Sequence, residues 1–148
     1  MPKIEKITKQ TENPYVNLYL VEGKNKVDHP FRYYVASRAK TMEALKIKTK
    51  KNTPDGVLMY SLYGEKRDKI VLVRQYRVSI DDYIYEFPAG LVESGEEFHE
   101  AAVREMHEET GLTFHPLKVD PCYEKPFFTT IGMTDEACSA VYGWCEGE

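Results

Sequence analysis

The stretch from Gly90 to Leu112 limits what this chain can fold into more than any other part of it. It runs as Gly90, five residues, Glu96, seven residues, Arg104-Glu105, the apolar Met106, His107, Glu108-Glu109, Thr110, Gly111 and the apolar Leu112. Within it Phe98, Ala101, Ala102 and Met106 recur at i, i+3, i+4 and i+8, the period of a helical stripe facing a core. Ser94 with Glu97 three residues on reads as a capping box, which predicts a helix starting at about Gly95. Gly111 predicts its end, because a left-handed residue past the last turn is cheap only for glycine.

The same helix carries a second pattern. At roughly 100° per residue Glu105 and Glu109 nearly eclipse, and Glu108 lies one step round the same side. Three carboxylates on one face repel each other and weaken an isolated helix. Hard oxygen donors gathered in this way suit Mg²⁺, with Mn²⁺ as the other candidate. The competing reading of any such run is a solvated acidic face. Arg104 is placed to clamp one carboxylate, Glu96, and so to hold the loop against the helix. Gly90 lets the backbone run close to a bound ion, and the carbonyl of Ala89 is a further candidate ligand.

From Gly90 to Leu112 the chain resembles the Nudix signature at every specified position. Seven fixed residue types and two apolar ones would coincide by chance in fewer than about one in a million chains. The resemblance implies a magnesium-dependent pyrophosphohydrolase. By it the metal ligands are Ala89, Glu105, Glu108 and Glu109, and the catalytic group is Glu108 and Glu109 supported by Arg104. Gly90, Glu96 and Gly111 have structural roles. His99 and His107 fall where the family pattern is free, and both are expected at the surface.

The flanks resemble the ADP-ribose pyrophosphatase branch. Arg74-Gln-Tyr-Arg77 is followed by Glu86-Phe-Pro-Ala-Gly90, and downstream Thr129 to Glu136 reads TTIGMTDE. By this resemblance Arg77, Glu86, Gly132 and Glu136 meet the substrate, a small-molecule nucleoside diphosphate sugar such as ADP-ribose, cleaved into two monophosphates. Thr130 and Ile131 depart from the branch's Ser-Pro pair, which leaves other nucleotide sugars open. Two alternatives stand beside this activity: a nucleotide-sugar-binding module with weak or no hydrolysis, and a hydrolase of oxidised nucleoside triphosphates. Relatives in this branch build their base site from a partner's N-terminal strands, so a homodimer is implied. They also continue beyond the strand ending near Cys145 into a loop that supplies a glutamate base. Here Glu146 and Glu148 are the last acidic residues, and three readings stay open: a helix glutamate such as Glu108 ionises the water with metal help, turnover is weak, or the sequence is truncated.

The rest of the chain fits an α/β fold. The expectation is a Nudix-type α/β/α sandwich around a mixed sheet, with an N-terminal antiparallel strand extension and a shortened C-terminus. Residues 1–148 read as a single Nudix domain, with 1–52 the extension and 53–148 the core. Asn17–Val21 and Arg32–Ser37 are aromatic and β-branched and predict a hairpin. Val57–Tyr63 and Lys69–Gln75 predict two strands joined by the polar turn GEKRD. Tyr83–Phe87 alternates and stops at Pro88. Tyr123–Thr130 and Cys138–Cys145 are two further candidate strands. The lysine-rich Ala39–Lys51 reads as an exposed, polar stretch.

Charge and composition narrow the partners. Twenty basic against 24 acidic residues give a formal charge of −4, which offers no footprint for a nucleic-acid backbone. No apolar run approaches the roughly 20 residues of a membrane span, and the N-terminus has no apolar core of a signal peptide. Cys122, Cys138 and Cys145 are odd in number and lack metal-site spacing, which predicts reduced thiols and a cytoplasmic location.

Overall fold

The computed structural model describes every residue from Met1 to Glu148. Its backbone clusters into two compact units, Met1–Thr53 with Phe128–Glu136, and Pro54–Phe127 with Ala137–Glu148. No helix is long and apolar enough to cross a membrane.

The first unit is built on an antiparallel sheet in the order β1 (Lys3–Lys9), β2 (Asn17–Lys24), β3 (Pro30–Ser37). The expected hairpin is β2–β3, with Tyr19 opposite Val35 and Val21 opposite Tyr33. Strand β1 escaped the sequence reading. Lysines at 3, 6 and 9 mask Ile4 and Ile7, and a register shift between Ile4 and Lys6 breaks the alternation. Lysine on an outer strand also blunts an open edge. The lysine-rich stretch after β3 forms a 3-10 turn, Met42–Ala44, and one helical turn, α1 (Lys46–Thr49). Its lysines are largely outside, while Leu45 is fully buried beside Tyr19 and Val21 in this unit's core. Residues 128–136 fold back onto β3, where Thr134 bridges Ala36 and the Tyr33 hydroxyl donates to the Gly132 carbonyl.

The remaining elements, in chain order, are β4 (Gly56–Tyr63), β5 (Lys69–Ile70), β6 (Val73–Arg77), β7 (Asp82–Glu86), β8 (Ala89–Leu91), α2 (Phe98–Thr110), β9 (Thr113–Pro116), β10 (Phe127–Phe128) and β11 (Ala137–Glu146). At the centre β11 and β4 run parallel, in register from Cys138 opposite Gly56 to Cys145 opposite Tyr63. Strands β5 and β8 pair antiparallel with β4, and β9 pairs antiparallel with β11. The sheet is therefore mixed, and the fold is α/β as expected.

Helix α2 lies on this sheet. Ala101, Ala102 and Met106 are fully buried and pack with Val57, Met59, Phe114 and Val141. Two alanines let the helix approach closely, and Met106 fills the gap beyond them, each such side chain contributing about 1.5–3 kcal/mol when it is as large as methionine. Alternation places Tyr60 and Tyr142 on the other side of the strands. Their rings lie 6.0 Å apart, and Phe87 stands 5.5 Å from Tyr60.

Two strand expectations need correction. Lys69–Gln75 does not run as one strand. The turn pairs Leu62 with Ile70 and Tyr63 with Lys69, but then Val71 dips into the core, its amide donating to the Ser61 carbonyl at 3.0 Å. The chain leaves the sheet there and resumes as β6, which pairs with β7 in a separate two-stranded ribbon. Tyr123–Thr130 shrinks to the two residues of β10. A 3-10 turn at Pro121–Tyr123, capped by Asp120, occupies its start, and Pro126 has no amide to offer a ladder.

Candidate active site

The box does not begin as a capping box between Ser94 and Glu97. Gly95 sits at φ +87°, a left-handed turn that no helix admits. The Glu96 amide donates to the Glu93 carbonyl at 3.1 Å, and the Glu93 amide donates to the Glu96 carboxylate at 2.9 Å. The helix therefore starts at Phe98, and Glu97 is its cap, accepting from the His99 amide at 2.8 Å. The other end is as expected: Gly111 adopts φ +74° and its amide closes on the His107 carbonyl at 2.8 Å.

Arg104 organises the acidic face. Its Nε and Nη2 each donate to Glu96 at 2.9 Å, which makes the clamp expected from the spacing a bidentate one. Nη2 also reaches the Leu91 carbonyl at 3.1 Å, which ties the loop to the helix. Beyond that expectation, Nη1 donates to Glu105 at 2.9 Å and to Glu108 at 3.1 Å. The Arg104 hydrogen bonds hold the Glu96 carboxyl down at about 2, well below the ordinary carboxylate range. The same pairs push the Arg104 guanidinium up, so the clamp is charged at every working pH.

Glu109 takes a different partner. Its carboxylate accepts from the Ala89 amide at 3.2 Å. Burial raises its pKa, the nearby charges of Glu105 and Glu86 add to the rise, and the Ala89 amide and Arg77 oppose it. Glu86 and Arg77 are thus electrostatic neighbours of Glu109, and they pair with each other at 2.8 Å. Gly90 is needed for space: a Cβ there would stand 1.9 Å from the Glu105 carboxyl carbon. The Ala89–Gly90 backbone is pressed against the carboxylates of α2.

These contacts link Ala89, Gly90, Glu96, Arg104, Glu105, Glu108 and Glu109 into one site, with Arg77 and Glu86 at its border. Gly132 and Glu136 belong to the first unit. There Glu136 pairs with Arg38 at 2.8 Å and accepts from Thr129 at 3.3 Å. No three His, Cys, Asp or Glu side chains converge on a single metal-sized point. The donor set nevertheless fits a hard divalent ion. All its members are carboxylate or carbonyl oxygens, and Arg104 Nη1 shows Glu105 and Glu108 sharing one cation.

His99, expected at the surface, is partly buried and carries contacts that its spacing does not announce. Its Nε2 lies 2.7 Å from Glu124 and its Nδ1 3.0 Å from Glu97. Glu124 stands 25 residues away in sequence, so no local spacing announced it. His107 is exposed, as expected.

Comparison with known proteins agrees with this geometry. The NUDIX domain profile matches residues 52–144. An ADP-ribose pyrophosphatase of Saccharomyces cerevisiae is 35% identical over 80 residues, covering 53% of this chain and 35% of that protein. An ADP-ribose pyrophosphatase of Bacillus subtilis is 44% identical over 68 residues, covering 46% of this chain and 35% of that one. The chain thus spans about a third of the length of these relatives. Among solved structures, that of an ADP compounds hydrolase superposes with a TM-score of 0.71 at 19% identity, covering 99% of this chain and 69% of that one. With a profile match over more than half its length and the complete Gly90–Leu112 motif running from β8 through helix α2, the chain belongs to the Nudix family.

Proposed function

We propose that this protein hydrolyses the diphosphate of ADP-ribose or a related nucleoside diphosphate sugar, with Mg²⁺ or Mn²⁺, to two monophosphates. The observation that carries this reading is the seat made by α2 and β8. Glu105 lies against Gly90, Glu109 accepts from Ala89, and Glu108 shares the Arg104 cation with Glu105. The similarity to pyrophosphatases acting on ADP-ribose supports the substrate class.

Glu105, Glu108, Glu109 and the Ala89 carbonyl are the residues that would hold the metal. When bound, it supplies charge stabilisation for the phosphate oxygens and lowers the pKa of water. Arg104 keeps the carboxylate face together through Glu96, and its Nη1 holds Glu105 and Glu108, which would be the carboxylates to turn to a bound ion. Glu108 has a side chain 57% exposed against 16% for Glu105, so it faces solvent and is the proposed proton acceptor from the attacking water. That water adds to one phosphorus, the anhydride oxygen leaves with the other phosphate, and the proton returns to solvent. Arg77, freed from Glu86, is the proposed diphosphate contact, with Glu86, Gly132 and Glu136 as further substrate contacts. Residues 53–148 form the proposed Nudix core and 1–52 its extension. We further propose a homodimer formed through the N-terminal sheet, where Tyr33 and Tyr34 are about half exposed on β3, in the cytoplasm, without nucleic-acid or membrane partners.

The test is a screen of nucleoside diphosphate sugars and triphosphates with Mg²⁺, products separated by chromatography. AMP and ribose 5-phosphate from ADP-ribose are expected. Pyrophosphate released from triphosphates, or binding of ADP-ribose without cleavage, would replace this reading with one of its alternatives.

A further inference from the structure

The carboxylate face occupies one end of α2; the other end has its own charged assembly, which the proposed reaction does not use. His99 is in the first turn, its ring tilted by 33° against Phe98 with centroids 4.0 Å apart, and its side chain 35% exposed. Each ring nitrogen faces a carboxylate. On one side is Glu97, the helix cap, at 3.0 Å; on the other is Glu124, 15% exposed, at 2.7 Å. Glu124 comes from the segment between β9 and β10, and its own carbonyl accepts from the buried Ser139 hydroxyl of β11 at 2.8 Å. A chain of contacts therefore runs from the sheet, through Glu124 and His99, to the cap of α2. The next residue before that cap is Glu96, which Arg104 grips. Glu100 and Arg104 line the same shallow groove as His99 from its own helix.

We propose that His99 is a positioning residue, a protonation-dependent latch that pins the β9–β10 segment to the first turn of α2 and so fixes the helix that carries the carboxylates. The chemistry of imidazole makes the latch conditional. Protonated, the ring has two N–H donors and satisfies both carboxylates; neutral, it has one, and its lone pair confronts an oxygen. Burial alone would pull the His99 pKa down, but the hydrogen bonds to Glu124 and Glu97 outweigh it and the pKa is raised. The sign follows. A group with a raised folded pKa contributes stability that is full below the unfolded value and is lost as pH rises through the folded one. The latch is closed in mild acid and opens on the alkaline side, the proton leaving to solvent.

The influence on turnover rests on the proposed function, whereas the titration and the melting temperature do not, so the two ideas fail separately. The experiment uses the full chain. The His99 ring titration is followed by NMR in wild type and Glu124→Gln, and melting temperature is followed in wild type and His99→Gln at about pH 6 and about pH 9. The expected midpoint for His99 lies above the ordinary histidine value of about 6.5 and falls in Glu124→Gln. The melting advantage of wild type over His99→Gln is present in acid and shrinks toward zero in alkali. If hydrolysis is present, the kcat/KM deficit of His99→Gln follows the same pH course. A midpoint at or below the ordinary value, or an advantage equal at both pH values, overturns the latch.

Discussion

The two long faces of helix α2 belong to the same thirteen residues and are held by opposite means. On one, Ala101, Ala102 and Met106 are fully enclosed by the sheet. Nothing there can exchange, because a close-packed core accepts one arrangement. On the other, Glu105, Glu108 and Glu109 repel each other and are restrained by groups that can let go: one guanidinium and one backbone amide. The packed face stabilises the helix so that the acidic face can be kept in a state unfavourable by itself. A divalent cation would relieve that state, which is the reason for proposing the acidic face as a site.

This contrast predicts separable effects. The largest is on the packed face: Met106→Ala should destabilise by about 2–5 kcal/mol in urea unfolding, through lost transfer energy and a cavity beneath the helix. A loss under about 0.5 kcal/mol, within the range of surface changes, would mean the packed face is not what fixes the helix. Next is the seam between helix and backbone. Gly90→Ala puts a methyl into the Glu105 carboxyl, whose flexible side chain swings away. Turnover should fall by about 10–100-fold, as for supporting groups around a metal, while the melting temperature moves little. Equal losses in both would show Gly90 to be a packing residue. The smallest effect is at the clamp. Glu96 has its pKa depressed to about 2, so its contribution to stability is present above the ordinary carboxylate value and lost as pH falls toward 2. Melting temperature against pH should therefore separate wild type from Glu96→Gln at neutral pH, and the two curves should merge in acid.

The faces also differ in how far they could be read from sequence. The packed stripe, the Gly111 stop and the Arg104–Glu96 clamp were legible because each depends on spacing within one helix and its adjoining loop. The start of α2 was not: Ser94 and Glu97 had the right types, but Gly95 between them takes a left-handed turn and moves the start to Phe98. Lys69–Gln75 misled because an apolar run does not say where the chain leaves a sheet; the burial of Val71 under β4 decides that. His99 was hidden for the plainest reason, a partner brought by tertiary folding from the segment after β9. The mixed order of the central sheet, with β11 parallel to β4, likewise came from long-range pairing that the strand patterns did not encode, although the family resemblance implied it.

The exchangeable face is proposed as a metal site for diphosphate hydrolysis. Glu109→Gln tests it most directly, since it keeps the side chain's shape and removes only its charge. Turnover of ADP-ribose should be measured across a Mg²⁺ titration, with folding checked by melting temperature. The variant should be as stable as wild type, or more so because a like charge is gone, with turnover lower by at least about 100-fold and a weakened metal response. Full turnover at the wild-type Mg²⁺ midpoint would contradict it.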